Sequence, residues 1–205
     1  MKTRGDISVK SRTTQNGARD KIISTACDLF YRQGYLATGI NQITAEAGVA
    51  KNTFYYYFPS KDALCVTYLQ EIGKNWRRSL EDKIDEYKTP YDRLLAPIEF
   101  IKQWNHKNNY RGCPFLNIAS EVTDPETDIR REVIYNRNGL RKIIGELFER
   151  LKNSDDKYSD IDVPTLTDKY YLIIEGAITA CQNYGQDWPF KIARNSVEEN
   201  LLTVR

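Results

Sequence analysis

Residues 39–58, GINQITAEAGVAKNTFYYYF, are the segment of this sequence that is most informative about the fold. Small and apolar side chains recur at helical spacing on both sides of Gly48, and a glycine there permits the tight turn that joins two short helices. The positions expected to face inward in this helix pair are Ile43, Ala47, Val49, Phe54 and Tyr57. The spacing therefore predicts a helix-turn-helix.

The outer face of the second helix in this pair is polar and aromatic. In a helix-turn-helix that binds DNA, this face contacts base edges and phosphates near the amino end of the helix. The residues placed there by the spacing are Lys51, Asn52, Thr53, Tyr55 and Tyr56. Helical hairpins with a glycine turn also occur in proteins that do not bind DNA, so this pattern alone leaves both interpretations open.

Charge is distributed unevenly along the chain. Residues 1–61 hold nine Lys and Arg residues and four acidic residues, whereas the remaining residues hold 21 Lys and Arg residues and 24 acidic residues. A basic segment ahead of a mildly acidic one favours contact between the first segment and a polyanion. Four of the nine cations lie in residues 1–17, so a basic tail without such a partner is an equally simple explanation.

Helical periodicity continues to the end of the chain, and no alternating pattern of useful length predicts a strand. We therefore expect an all-α fold. Residues 1–17 are polar and are predicted to be a disordered arm, residues 18–64 to form a three-helix domain that contains the helix-turn-helix, and residues 65–205 to form a second helical domain. A fourth helix, which Ser60 would cap, is expected to join the two domains.

The helix that follows Pro164 is apolar over most of its circumference. Such a helix is buried on more than one side, and in a chain of this size the second side is expected to face another subunit. We therefore expect a homodimer. The interface positions predicted on this helix are Tyr170, Ile174, Ile178 and Cys181.

Several function classes find no support in the sequence. His106 is the only histidine, and the cysteines at 27, 65, 113 and 181 form no CxxC pair, so neither a common zinc motif nor a disulfide framework is expected. Neither GxGxxG nor GxxxxGK is present, so we predict no cofactor and no enzyme activity. No apolar run approaches the ~20 residues of a membrane span, and we expect a cytoplasmic protein without a membrane partner.

The segment GYLATGINQITAEAGVAKNTFYYYFPSKDAL resembles the N-terminal signature of the tetracycline-repressor (TetR) family of bacterial regulators, over about residues 19–69. The resemblance implies a homodimer that binds a near-palindromic operator in double-stranded DNA and releases it when a small molecule binds the C-terminal domain. It assigns DNA binding to residues 18–64 and ligand binding and dimerisation to residues 65–205. Carried over by position, it assigns phosphate contacts to Thr38, Tyr57 and Lys61, and major-groove contacts to Lys51, Asn52, Thr53 and Tyr55. Tyr56 would contact the DNA backbone or a thymine methyl.

The sequence departs from the family pattern at two positions of this signature. Thr44 stands where the family commonly has alanine, and Ala50 where it commonly has serine. The departures put the packing of the first helix and one possible phosphate contact in question.

The rest of the chain is less specific about the small molecule. A largely apolar ligand is expected, with lining candidates Trp76, Phe100, Trp104, Cys113, Phe115 and Asn117, although each is equally consistent with an ordinary core side chain. An alternative is a sensor of electrophiles or oxidants acting through Cys113, because Arg111 and a helix amino end would lower the pKa of that thiol.

Overall fold

The structure is a computed structural model that describes residues 17–202. The predicted arm lies outside the described residues except for Gly17. Within the described residues the regular elements are helices, and no strand occurs. The all-α prediction is confirmed. The helices are α1 (Ala18–Gln33), α2 (Ile40–Ala47), α3 (Lys51–Tyr57), α4 (Lys61–Asp85), α5 (Pro90–Lys107), α6 (Pro114–Glu121), α7 (Asp128–Lys152), α8 (Val163–Tyr184) and α9 (Trp188–Leu202), with a 3-10 turn at Asp156–Tyr158.

Helix starts follow local capping chemistry. The Ser60 hydroxyl accepts a hydrogen bond from the Ala63 amide at 3.0 Å, as its predicted role at the start of α4 requires. Thr89 accepts from the Asp92 amide at 3.0 Å ahead of Pro90, and Asp162 accepts from the Thr165 amide at 3.2 Å. These bonds satisfy amide groups that have no partner inside the helix.

The described residues divide into two compact units that do not coincide with the predicted boundary at residue 64. The first unit contains the described residues up to Trp76 together with Cys113–Asn136, and the second contains Arg77–Gly112 and the residues from Arg137 onward. Helix α6 and the first part of α7 therefore belong to the same unit as the predicted helix-turn-helix. The predicted limits of the DNA-binding domain and the C-terminal domain stay a prediction.

Each unit has its own apolar interior. In the first unit, the buried ring of Phe30 in α1 meets the ring of Tyr68 in α4 edge-on, with 5.6 Å between the centroids. In the second unit, the buried Tyr170 hydroxyl of α8 donates to the Leu94 carbonyl of α5 at 2.7 Å, and its ring packs edge-on against Phe148 of α7. No helix in the described part of the chain has the length and hydropathy of a membrane span.

Candidate nucleic-acid interface

Helices α2 and α3 form the predicted helix-turn-helix. Gly48 ends α2 in the left-handed conformation, with φ 65° and ψ 38°, and the Val49 amide donates to the Thr44 carbonyl at 3.0 Å. A glycine adopts this conformation without the steric cost that a β-carbon imposes. Ile43 and Phe54 are completely buried, so each helix is anchored in the interior of the first unit.

The outer face of α3 is accessible to a partner. Lys51 and Asn52 are exposed in its first turn, and Tyr56 is 81% exposed in its last turn. Tyr55 and Tyr57 are also exposed, whereas Thr53 is half-buried. The expectation that Tyr57 faces inward is therefore wrong, because this last residue of α3 is 38% exposed. A side of the helix that carries a cation, an amide and phenol hydroxyls offers both donors and acceptors to base edges and phosphates. The structure thus brings the residues predicted on α3 together on one short surface helix.

Thr38 differs from these residues because it is completely buried. Its hydroxyl donates to the Gly34 carbonyl at 2.7 Å, inside the loop between α1 and α2. The predicted phosphate contact requires a side chain that reaches the surface, and this geometry does not provide one. In this structure Thr38 stabilises the loop that leads into α2.

Lys61 is also engaged within the chain. Its ammonium group donates to the carbonyls of Tyr35 at 3.0 Å and Thr38 at 3.1 Å, and it lies 4.1 Å from the centroid of the Tyr35 ring. An ammonium group has three donors, so these two bonds leave one for a phosphate. The phosphate contact of Lys61 stays a prediction. In the structure Lys61 also holds the loop between α1 and α2 through these two carbonyls.

Both departures from the family pattern have simple local effects. The Thr44 hydroxyl lies 3.0 Å from the carbonyl oxygens of both Ile40 and Asn41 and shares its one proton between them, so the buried hydroxyl is satisfied inside α2. Ala50 occupies the N-cap position of α3 with an extended backbone, but it has no side-chain oxygen to accept from the helix amides. Helix α3 therefore lacks a side-chain cap.

Comparisons with known proteins agree with this geometry. The family described as "Bacterial regulatory proteins, tetR family" matches residues 22–66, and the family described as "Tetracyclin repressor-like, C-terminal domain" matches residues 90–197. The second match alone covers more than half of the chain. The chain belongs to the TetR family. Its relatives are transcriptional regulators and not enzymes.

Individual relatives support the same assignment. A helix-turn-helix-type transcriptional regulator of Lactococcus lactis is 31% identical over 130 residues, which are 62% of this chain and 66% of the relative. The regulator LmrA of Bacillus subtilis is 32% identical over 108 residues, which are 52% of this chain and 57% of LmrA. The chain thus spans less than two thirds of the length of these curated relatives.

Solved structures show the shared fold over a greater length. A TetR-family regulator from Streptomyces coelicolor has a TM-score of 0.82 and 26% identity, and the match covers 91% of this chain and 95% of that chain. The reduced form of NemR from Escherichia coli has a TM-score of 0.75 and 21% identity, and the match covers 89% and 96% of the two chains.

The six residues predicted to line a ligand pocket of this TetR-family protein do not lie in one compact unit. Trp76, Cys113, Phe115 and Asn117 belong to the first unit, whereas Phe100 and Trp104 belong to the second. Cys113 and Phe115 are buried, and the other four are partly exposed. The ligand-lining role of all six stays a prediction.

The second unit contains a surface groove that sequence reasoning missed. Its volume is about 350 Å³, and it lies between α5 and α9, with the apolar Ile98 and Phe190 beside Lys102 and Lys191. None of the six predicted residues lines it. Within residues 17–202, no group of three or more His, Cys, Asp or Glu residues is arranged to hold a metal ion.

Cys113, the residue of the alternative thiol-sensor hypothesis, is the N-cap residue of α6 and is 8% exposed. An oxidant or electrophile would have little access to a thiol at this depth. This burial does not favour the alternative.

The predicted dimer residues of α8 face the interior of their own chain. Tyr170, Ile174, Ile178 and Cys181 are each no more than 3% exposed. Side chains already excluded from solvent within one chain have no exposed area to bury against a partner, so these four positions cannot form the surface of an interface in this structure. Their spacing of four, four and three residues places them on one face of the helix, and this face is the core stripe of α8.

A different face of α8 is accessible. Its exposed positions include Leu172, Gly176, Thr179 and Asn183, which recur at steps of four, three and four residues. On α9, the apolar Trp188 and Ile192 are exposed one turn apart. The sequence pattern did not separate this second helical stripe, which combines a large apolar residue with a glycine, from the core stripe.

Proposed function

We propose that this TetR-family protein is a transcriptional repressor that binds an operator as a homodimer and releases it when a small molecule binds. The observation that carries the proposal is α3, whose completely buried Phe54 anchors it while Lys51, Asn52, Tyr55 and Tyr56 face outward. A short helix held rigidly with a polar outer face suits insertion into the major groove.

A homodimer explains the exposed stripe on α8, which contains Leu172 and Gly176. Gly176 lies within this helix and is exposed, and, apart from its chain neighbours and the adjacent backbone of α8, no atom of the described chain lies within 4 Å of the position that a β-carbon would occupy. Glycine inside a helix costs about 1 kcal/mol relative to alanine, and nothing in the described chain requires it there. Close approach of a partner helix at Gly176 provides a reason for this glycine, and Leu172 supplies apolar area to the same stripe.

The dimer also determines the form of the operator. Two α3 helices related by a twofold axis read two half-sites of opposite orientation, and successive major grooves on one side of B-DNA are ~34–36 Å apart. The operator should therefore be an inverted repeat with half-sites about one helical turn apart, or a small multiple of it.

Two buried polar groups support the ligand part of the proposal. The Tyr68 hydroxyl in the first unit and the Trp104 indole nitrogen in the second are buried without a hydrogen-bond partner among the described residues. A buried polar group without a partner is costly, and a bound molecule that hydrogen-bonds to it would remove that cost. Each group is therefore a candidate to orient a largely apolar ligand.

Selection of bound duplexes from a random pool tests the DNA part of the proposal. The enriched sequences should contain one inverted repeat, and footprinting should show protection of both half-sites. Enrichment without a common motif would contradict sequence-specific binding.

Ligand coupling is tested by measuring the affinity of a compound with and without saturating operator. Linkage requires the operator to weaken binding of an inducer by the same factor by which the inducer weakens operator binding. A compound found by quenching of the tryptophan fluorescence of the protein provides the probe. Equal affinities for every compound that binds would contradict ligand-induced release.

A further inference from the structure

The loop between α1 and α2, residues 34–39, is held by side chains from other helices. Lys61 at the start of α4 donates to two of its carbonyl oxygens. From α6, the Glu121 carboxylate accepts a hydrogen bond from the Leu36 amide at 2.7 Å, across 85 residues of sequence. All of these residues belong to the first unit.

The backbone at Gly34 leaves room for the Glu121 carboxylate. Gly34 has φ 101° and ψ 161°, a conformation that residues with a side chain rarely adopt. A β-carbon at this position would lie 2.7 Å from Glu121 Oε1 and 3.1 Å from Oε2, so it would displace the carboxylate. The loop and the end of α6 are therefore fitted closely to each other.

From this geometry we infer that Glu121 is a positioning residue for DNA binding, an inference that rests on the proposed function. The loop ends at Gly39, the N-cap of α2, so its backbone position determines where the helix-turn-helix begins. A charge-assisted hydrogen bond to the Leu36 amide fixes that position. Through Glu121, α6 takes part in holding the DNA-binding helices.

Removal of the Glu121 carboxylate distinguishes a positioning role from an effect of its charge alone, because the two predict opposite changes in DNA affinity. A carboxylate close to a DNA-binding surface repels phosphates, so removing it would strengthen binding if its charge were all that mattered. A positioning role predicts the opposite, because the loop loses its hydrogen bond when the carboxylate is removed.

The test compares Glu121→Ala, Glu121→Gln and a matched control, Ser120→Ala, which changes the neighbouring exposed residue of α6. Affinities are measured for the selected operator and for random-sequence DNA at one salt concentration. Glu121→Ala should lose about three- to tenfold in operator affinity, the range of one hydrogen bond, with random-sequence affinity unchanged within twofold. Glu121→Gln keeps an acceptor oxygen and should stay within twofold of the unsubstituted chain, as should Ser120→Ala.

Hydrogen exchange of the Leu36 amide gives a readout that does not depend on DNA. Exchange should become faster in Glu121→Ala and stay close to that of the unsubstituted chain in Glu121→Gln. An unchanged rate in Glu121→Ala would overturn the inference, because the bond would then contribute nothing to the loop.

The DNA measurements can overturn the inference in other ways. Tighter operator binding by both Glu121 variants would show that repulsion dominates. Parallel loss of operator affinity, random-sequence affinity and melting temperature would show only general destabilisation. If the unsubstituted chain itself shows no operator preference, the proposed function fails, whereas the inference fails when that preference is present and insensitive to Glu121→Ala.

Discussion

Replacing Leu172 with glutamate is expected to weaken the dimer without unfolding the subunit. Leu172 is 67% exposed in one chain. Complete burial of a leucine side chain contributes about 1.5–3 kcal/mol, so burial of this exposed part contributes about 1–2 kcal/mol per chain and about 2–4 kcal/mol per dimer. Loss of that contribution raises the dimer Kd by about 30- to 800-fold, and the cost of burying two carboxylates adds to it.

Sedimentation equilibrium over a range of concentrations measures this Kd, and circular dichroism reports whether the separated subunits stay folded. Leu36→Glu is the matched control, because Leu36 is 66% exposed and lies in the first unit. It should leave the dimer Kd unchanged. Ile178→Glu, at a position that is 3% exposed, should instead unfold the subunit. An unchanged dimer Kd in Leu172→Glu would refute the placement of the interface.

Three further predictions concern individual residues. Ala50→Ser should supply the missing cap of α3 and stabilise the protein by about 1 kcal/mol, or about 2–4 °C in Tm, and a lower Tm would contradict that geometry. Lys61→Ala should weaken binding to all DNA and lower the slope of log K against log salt by about 1, and an unchanged slope would exclude a phosphate contact. Burial, with smaller contributions from Glu71 and Asp28, raises the pKa of Cys27 to about 12. The thiol is thus protonated at pH 8, and it should resist iodoacetamide in the folded protein and react only after denaturation, whereas rapid labelling of the folded protein would contradict its burial.

The helix-turn-helix was predictable because its determinants are close together in sequence. Gly48 ends α2 where the sequence predicts the turn, after a stripe that contains Ile43 and Ala47. The apolar side chains anchor the two helices, and the outer face follows from helical spacing alone.

Tertiary contacts explain what sequence patterns missed. Thr38 lies in the loop just before α2, and its position in the sequence does not reveal that the loop folds back. In the structure its hydroxyl is buried and donates to the Gly34 carbonyl. On α8, periodicity identified a real apolar stripe, but periodicity does not tell a stripe that packs on its own chain from one that packs on a partner. The role of Glu121 could not be predicted from the sequence, because acidic residues are common at helix ends. Its hydrogen bond with the Leu36 amide, 85 residues away in sequence, is visible only in the structure.

The most direct test of sequence-specific reading by α3 is the ratio of operator affinity to scrambled-sequence affinity, measured by fluorescence anisotropy at fixed salt. The unsubstituted dimer should prefer the selected operator by at least about 1,000-fold. Tyr55→Ala should lower that ratio by about 5- to 150-fold, the effect of about 1–3 kcal/mol of lost discrimination, while the salt dependence stays the same. A ratio near one for the unsubstituted chain, or a ratio that Tyr55→Ala leaves unchanged, would contradict the assignment of α3 as the helix that reads the operator.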